Sequence, residues 1–137
     1  MIRRIDHIGI AVRDLDKAVA IYQGTLGLKS LGLETVESEG VRVAMLEVGP
    51  SRIELLTPLK PGEGPIGKFL ESRGEGVHHV CFGVDGIDVT IETLGAAGLP
   101  FVGAAPRPGA HGCMVAFLHP KATCGVLIEL SERPTHD

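Results

Sequence analysis

The sequence predicts an α+β fold built from two βαβββ modules, and three observations carry that prediction. The first is an internal repeat. Asp6-His7-Ile8-Gly9-Ile10-Ala11-Val12-Arg13-Asp14-Leu15-Asp16 returns as His78-His79-Val80-Cys81-Phe82-Gly83-Val84-Asp85-Gly86-Ile87-Asp88. At this offset of 72 (79 − 7), His7 falls on His79, Val12 on Val84, Leu15 on Ile87 and Asp16 on Asp88. The second is the order of hydrophobic periods, which is strand-like, helix-like and then three times strand-like in each half. The third is length: 137 residues bury one real core and are too few for two ordinary domains. A four-stranded unit with one helix leaves a sheet face to cover, so the two modules are expected to pack as one domain over 1–137.

Module one is expected over about 3–59, a linking helix over about 65–73 and module two over about 76–131. The opening β-rich stretch ends at aspartates suited to cap a helix, Asp14 and Asp16 in one half and Asp85 and Asp88 in the other. From Asp14 to Gly27 the spacing puts Leu15, Ala18, Val19, Tyr22 and Leu26 on one stripe, with Gly27 as the stop. Strands are then predicted over Lys29 to Val36, Val41 to Val48 and Arg52 to Pro58, followed by a short helix near Pro65 to Ser72. In the second half Ile87, Ile91, Leu94 and Leu99 form the helical stripe. Its strands are predicted over Pro100 to Val102, Cys113 to His119 and Gly125 to Leu130. The closing strands match as Arg52-Ile53-Glu54-Leu55-Leu56 and Leu127-Ile128-Glu129-Leu130-Ser131, so the offset drifts to 75 (129 − 54). The three extra residues fall most easily in the Gly/Pro-rich stretch Gly103 to Gly112.

Composition excludes several classes of function. An apolar share of 44% with 22% charged residues is globular, not disordered. Thirteen basic against 17 acidic residues, a net charge of −4 and no basic run argue against nucleic-acid or membrane-surface partners. No Trp, one Tyr and four Phe make a poor stacking surface for single-stranded nucleic acid. The start, Met1-Ile2-Arg3-Arg4-Ile5-Asp6-His7, lacks the apolar stretch of a signal peptide, and no segment is long enough to span a bilayer. Cys81, Cys113 and Cys124 are odd in number and hold no C-x-x-C pair, so free thiols in a reducing cytoplasm are expected.

The chemistry is concentrated in four residues that the repeat makes equivalent: His7 with Glu54, and His79 with Glu129. Each His sits in a first strand and each Glu in a last strand. A single strand His is ordinarily structural. A Glu flanked by Ile and Leu is harder to excuse, because a buried carboxylate needs a partner or a metal, and here the pattern occurs twice. Two imidazoles and two carboxylates suit one divalent transition ion, Co, Zn, Ni, Mn or Fe, with positions left open for a substrate. Among other polar residues, His78 should face away from His79 by strand alternation, and Cys81 shares the parity of His79 as a small core residue. His111 lies in a Gly-flanked loop, His119-Pro120-Lys121 reads as a turn, and His136 lies in a polar tail.

These residues and their setting resemble the vicinal oxygen chelate (glyoxalase/bleomycin resistance) superfamily, and within it the methylmalonyl-CoA epimerase family. The stretches that carry the resemblance are D-H-I-G-I-A-V at Asp6 to Val12, I-E-L-L-T-P-L at Ile53 to Leu59 and G-E-G-V-H-H-V at Gly74 to Val80. G-A-H-G at Gly109 to Gly112, F-L-H-P-K at Phe117 to Lys121 and G-V-L-I-E-L at Gly125 to Leu130 complete it over nearly the whole chain. The resemblance implies a curved, cup-like mixed sheet around a metal site, a homodimer, and interconversion of (R)- and (S)-methylmalonyl-CoA by 1,1-proton transfer through an enolate. His7, Glu54, His79 and Glu129 are then the expected metal ligands, and the last-strand Glu129 an expected acid/base group. Some family members carry a second carboxylate where this chain has Val43; Glu47 faces the site only if the strand register allows it. Glu54 is therefore expected to be the second proton-transfer group. Arg107, Lys121 and Lys60, with His111, are the substrate-binding candidates for an acyl-CoA. A glyoxalase I-type lactoylglutathione lyase is the alternative activity, and a non-catalytic small-molecule-sequestering member the alternative class. The intact ligand set and scarce aromatics argue against the latter.

Overall fold

The computed structural model describes residues 1–134, and the chain divides into two compact units. One is His7–His78; the other comprises Met1–Asp6 and the chain from His79 onward. His136 lies outside the described residues.

In the first unit, strand β1 (Ile2–Ala11, of which His7–Ala11 belong here) leads into helix α1 (Leu15–Val19). The Asp14 carboxylate caps this helix by accepting the Lys17 backbone N–H at 3.1 Å, as the sequence predicts. The helix then widens into π-type turns over Ala20–Thr25 and stops at Gly27, whose φ of 77° suits a residue without Cβ. Wider turns rotate the stripe. Leu15, Ala18, Val19 and Tyr22 pack as expected, whereas Leu26, also expected on the stripe, is 60% exposed.

Strands β2 (Lys29–Val36), β3 (Val41–Val48) and β4 (Ser51–Pro58) follow, within a residue of their predicted bounds. The order is β2-β3-β4-β1, with β1 and β4 parallel and the other pairs antiparallel. Helix α1 covers one face of this sheet, where Val12, Ala44, Leu46 and Leu55 pack against Leu15 and Ala18. Burying each such large apolar side chain contributes about 1.5–3 kcal/mol. Helix α2 (Gly64–Arg73), the predicted linker, seals one end of the opposite face by setting Ile66 and Leu70 on Ala11, Val41, Val43 and Leu56.

The second unit repeats the order with β5 (Gly76–Val84, entering this unit at His79), α3 (Ile87–Ala96), β6 (Arg107–Pro108), β7 (Met114–Leu118) and β8 (Leu127–Glu132). Its strands lie in the order β5-β8-β7-β6, again with one parallel pair, β5 and β8. Helix α3 covers one face through Ile87, Ile91 and Leu94 on Val84, Ala116 and Leu130. The α+β class and the doubled βαβββ order are therefore as the sequence predicts.

Three details differ. Helix α3 is not capped by an aspartate: Gly86 occupies the cap at φ 69°, and the Ile87 N–H donates instead to Glu132 Oε2 at 2.8 Å. Asp85 is engaged by Arg3, whose Nε lies 2.7 Å from Oδ2. The strand predicted over Pro100 to Val102 shrinks to a single bridge, Phe101 with Leu118, and the edge strand is Arg107–Pro108. Pro100 has no N–H to donate, and Gly103 turns the chain away at φ 70°. The last strand begins at Leu127 instead of Gly125, because Cys124 and Gly125, both at positive φ, form a turn. The three cysteines are free thiols, and no helix among the described residues is long and apolar enough to cross a membrane.

Candidate metal centre

Register places the four candidate ligands. Cross-strand partners share a sheet face because side chains alternate along each strand. In the first unit His7 pairs with Arg52, and Gly9 pairs with Glu54, so His7, Arg52 and Glu54 share the face opposite α1. His7 Nδ1 stands 3.3 Å from Glu54 Oε2. In the second unit His79 pairs with Leu127 and Cys81 with Glu129, and His79 Nε2 stands 3.2 Å from Glu129 Oε1. His7, His79 and Glu129 are buried at 5%, 7% and 9% exposure, and the Glu54 side chain is 14% exposed. Each unit thus presents one largely buried imidazole–carboxylate pair at its repeat-equivalent position.

These pairs fit a metal by a simple geometric test. Two ligand atoms bound at about 2.0–2.2 Å, with tetrahedral or adjacent octahedral angles between them, lie roughly 2.8–3.6 Å apart. Both observed N···O separations, 3.3 and 3.2 Å, fall in that interval. The donors, nitrogen and carboxylate oxygen, are those of a borderline transition ion rather than of Ca²⁺ or Mg²⁺.

The two pairs are not identical in setting. Arg52, two residues before Glu54 on the same face, places Nη2 3.4 Å from the same Oε2 that faces His7. The repeat-equivalent residue in the second unit is Leu127. Arg52 was not among the residues singled out from sequence; strand parity beside Glu54 was the available signal. In the second unit the partner across the strands from Glu129 is Phe117, whose ring meets the His79 ring edge-on at 6.5 Å.

The remaining candidates separate clearly. Val43 lies across from Leu56 in the core under α2, so no carboxylate serves there. Glu47 shares the face of Glu54, being cross-strand from Arg52, and its carboxylate stands 3.7 Å from Lys29 Nζ. Lys60 is exposed in a bend and Lys121 is exposed in the single 3-10 turn Pro120–Ala122. His111 is exposed in a tight turn at φ 57°. His119 is the predicted turn residue, its Nδ1 accepting the Lys121 backbone N–H at 3.1 Å. His78 packs edge-on against Phe69 at 5.0 Å, a structural contact, and Cys81 is fully buried. Arg107 alone of the substrate candidates sits on a sheet. It pairs with Val115 and so shares the face of Glu129, with its guanidinium 5.0 Å above the Phe117 ring.

Comparison with known proteins places this arrangement. Residues 6–117 match the model of the glyoxalase/bleomycin resistance protein/dioxygenase superfamily. The ethylmalonyl-CoA/methylmalonyl-CoA epimerase of Cereibacter sphaeroides is 42% identical over 135 residues, covering 96% of this chain and 99% of that protein. The human mitochondrial methylmalonyl-CoA epimerase is 38% identical, over 94% of this chain and 73% of that one. A variant of the Streptomyces coelicolor methylmalonyl-CoA epimerase, solved in complex with 2-nitronate-propionyl-CoA, superposes with a TM-score of 0.92 at 39% identity, covering 98% of this chain and all of that one. With a family model matched over most of its length, and with epimerases similar to it nearly end to end, the chain belongs to the glyoxalase/bleomycin resistance protein/dioxygenase superfamily, in its methylmalonyl-CoA epimerase branch.

Proposed function

We propose that this chain is a methylmalonyl-CoA epimerase that inverts C2 of its substrate by proton removal and return, using one divalent transition ion held by His7, Glu54, His79 and Glu129. The observation that carries the reading is the pair of buried His–Glu sets at repeat-equivalent positions. The epimerase relatives point to the same chemistry. Both units contribute ligands in this reading, so they act as a single functional domain; a cytoplasmic homodimer is the further setting that the family resemblance suggests.

The difficulty of the reaction explains the residues. A hydrogen alpha to a thioester is only weakly acidic at neutral pH, so a lone carboxylate base is insufficient. The ion, when bound, supplies a Lewis acid for the thioester oxygen and so lowers the cost of the enolate. Glu129 takes the C2 proton from one face of the acyl group and Glu54 returns one to the other. Largely buried, the two carboxylates act in a site where water competes little for their hydrogen bonds. Lys60 and Lys121, both exposed, serve the phosphates of the CoA tail together with His111.

The deciding experiment is solvent deuterium incorporation at C2 of methylmalonyl-CoA, run beside a methylglyoxal–glutathione assay. Exchange at C2 with no lactoylglutathione formed is the expected result. The reverse pattern would establish the lyase reading.

A further inference from the structure

We infer that Arg107 binds the free carboxylate of a 2-carboxyacyl-CoA and so selects this substrate class over simple acyl-CoA thioesters. The inference rests on the epimerase reading above and names the group that recognises the acyl end.

Arg107 belongs to β6, and its cross-strand partner Val115 pairs in turn with Ser131 of β8. Two residues along, the next row on the same face, Phe117 pairs with Glu129. Arg107 therefore projects from the same face as Glu129, one row away, and leans over the intervening ring, with Cζ 5.0 Å from the Phe117 centroid. Two glycines keep the surroundings of Arg107 open, one beside its cross-strand neighbour Val115 and one beside its guanidinium. A Cβ at Gly109 would come within 2.6 Å of Val115 Cγ1, and one at Gly103 within 3.4 Å of Arg107 Nη1.

Among the described residues the guanidinium has an aromatic platform and no anion. Among those residues the Arg107 side chain forms no ion pair or hydrogen bond, and its buried Nε has no partner. A half-buried arginine is costly to leave in that state, and a planar fork of donors fixed on a ring is preorganised for a carboxylate. The repeat sharpens the point. The equivalent position in the first unit, across from Val43, is Glu34, so the two modules carry opposite charges at this place.

The ligand is the acyl carboxylate rather than a CoA phosphate for a chemical reason. The pantetheine arm separates the phosphates from C2 by many bonds, whereas Arg107 lies one row from Glu129, the proposed proton-transfer group. A carboxylate near Glu129 is repelled by it, and when Glu129 takes the C2 proton that negative charge moves onto the acyl group that carries the carboxylate. A guanidinium at this place offsets both.

The test compares two ligands that share the CoA tail. For R107L, the Kd of methylmalonyl-CoA should rise about 10–100-fold, the cost of losing a charge-assisted pair, while that of propionyl-CoA, which lacks the carboxylate, stays within about twofold. R107K should recover part of the loss. In the ¹⁵N-labelled wild-type protein the Arg107 Nε–H resonance, assigned by its absence in R107K, should move on adding methylmalonyl-CoA and not on adding propionyl-CoA. Equal weakening of both ligands, or an Nε–H signal indifferent to the carboxylate, would overturn the inference. If the wild-type protein fails to exchange the C2 proton, the epimerase reading falls, but the same resonance still decides whether Arg107 meets the carboxylate.

Discussion

At Glu129 a single atom separates two duties, since the same carboxylate is proposed to ligate the ion and to move a proton. Glu129→Gln keeps an oxygen for the metal and removes the base. It should lower kcat by roughly 10²–10⁴-fold with metal content unchanged, read by C2 exchange and by elemental analysis of the same sample. Glu54→Gln tests the other face. Each epimer presents its proton to one carboxylate, so this variant should slow exchange from one epimer more than from the other. Equal, near wild-type exchange from both would make Glu54 a ligand only. At this scale the His–Glu quartet was legible, because a repeat makes each ligand vouch for its counterpart. Arg52 and the stacking of Arg107 on Phe117 were not. Both depend on which residues stand opposite one another in the sheet, and cross-strand register is absent from a linear spacing.

At the scale of elements, polar groups at chain ends were the hardest to assign. Strands of the first unit were legible because their apolar, β-rich runs are bounded by turn glycines, Gly40 before β3 and Gly49 between β3 and β4. Helix α3 was legible in extent and not in its cap, since the acceptor for the Ile87 N–H comes from Glu132, 45 residues along the chain. Glu132→Ala should therefore behave as a cap deletion, costing about 1 kcal/mol and roughly 3–5 °C in Tm, with the C2 exchange rate of the folded protein preserved. Thermal melts and exchange assays on one preparation check it. Asp14→Ala should cost a similar amount, because the Asp14 carboxylate does locally for α1 what Glu132 does from a distance for α3. The π-type turns after α1 and the collapse of the Pro100 to Val102 strand escaped sequence reading for another reason. Each reflects a change of turn geometry that leaves the hydrophobic composition of the segment unaltered.

For the molecule as a whole, the question is whether the two His–Glu pairs serve one ion or two. Each pair alone offers one nitrogen and one oxygen, which is few for tight binding of a transition ion; four donors make a competent site. Titrating the metal-free protein with Co²⁺ in a calorimeter should give one equivalent per chain. Binding to the folded state alone then raises stability by RT ln(1 + [L]/Kd), about 2.7 kcal/mol at a free ion concentration of 100 Kd, which appears as an upward shift in Tm. The shift should vanish for His7→Ala and equally for His79→Ala, although these residues belong to different units. A single shared ion loses its site when either unit loses its imidazole. Two equivalents per chain, or a Tm shift halved rather than abolished by each variant, would mean that each unit binds on its own, and the proposed four-ligand centre would have to be given up.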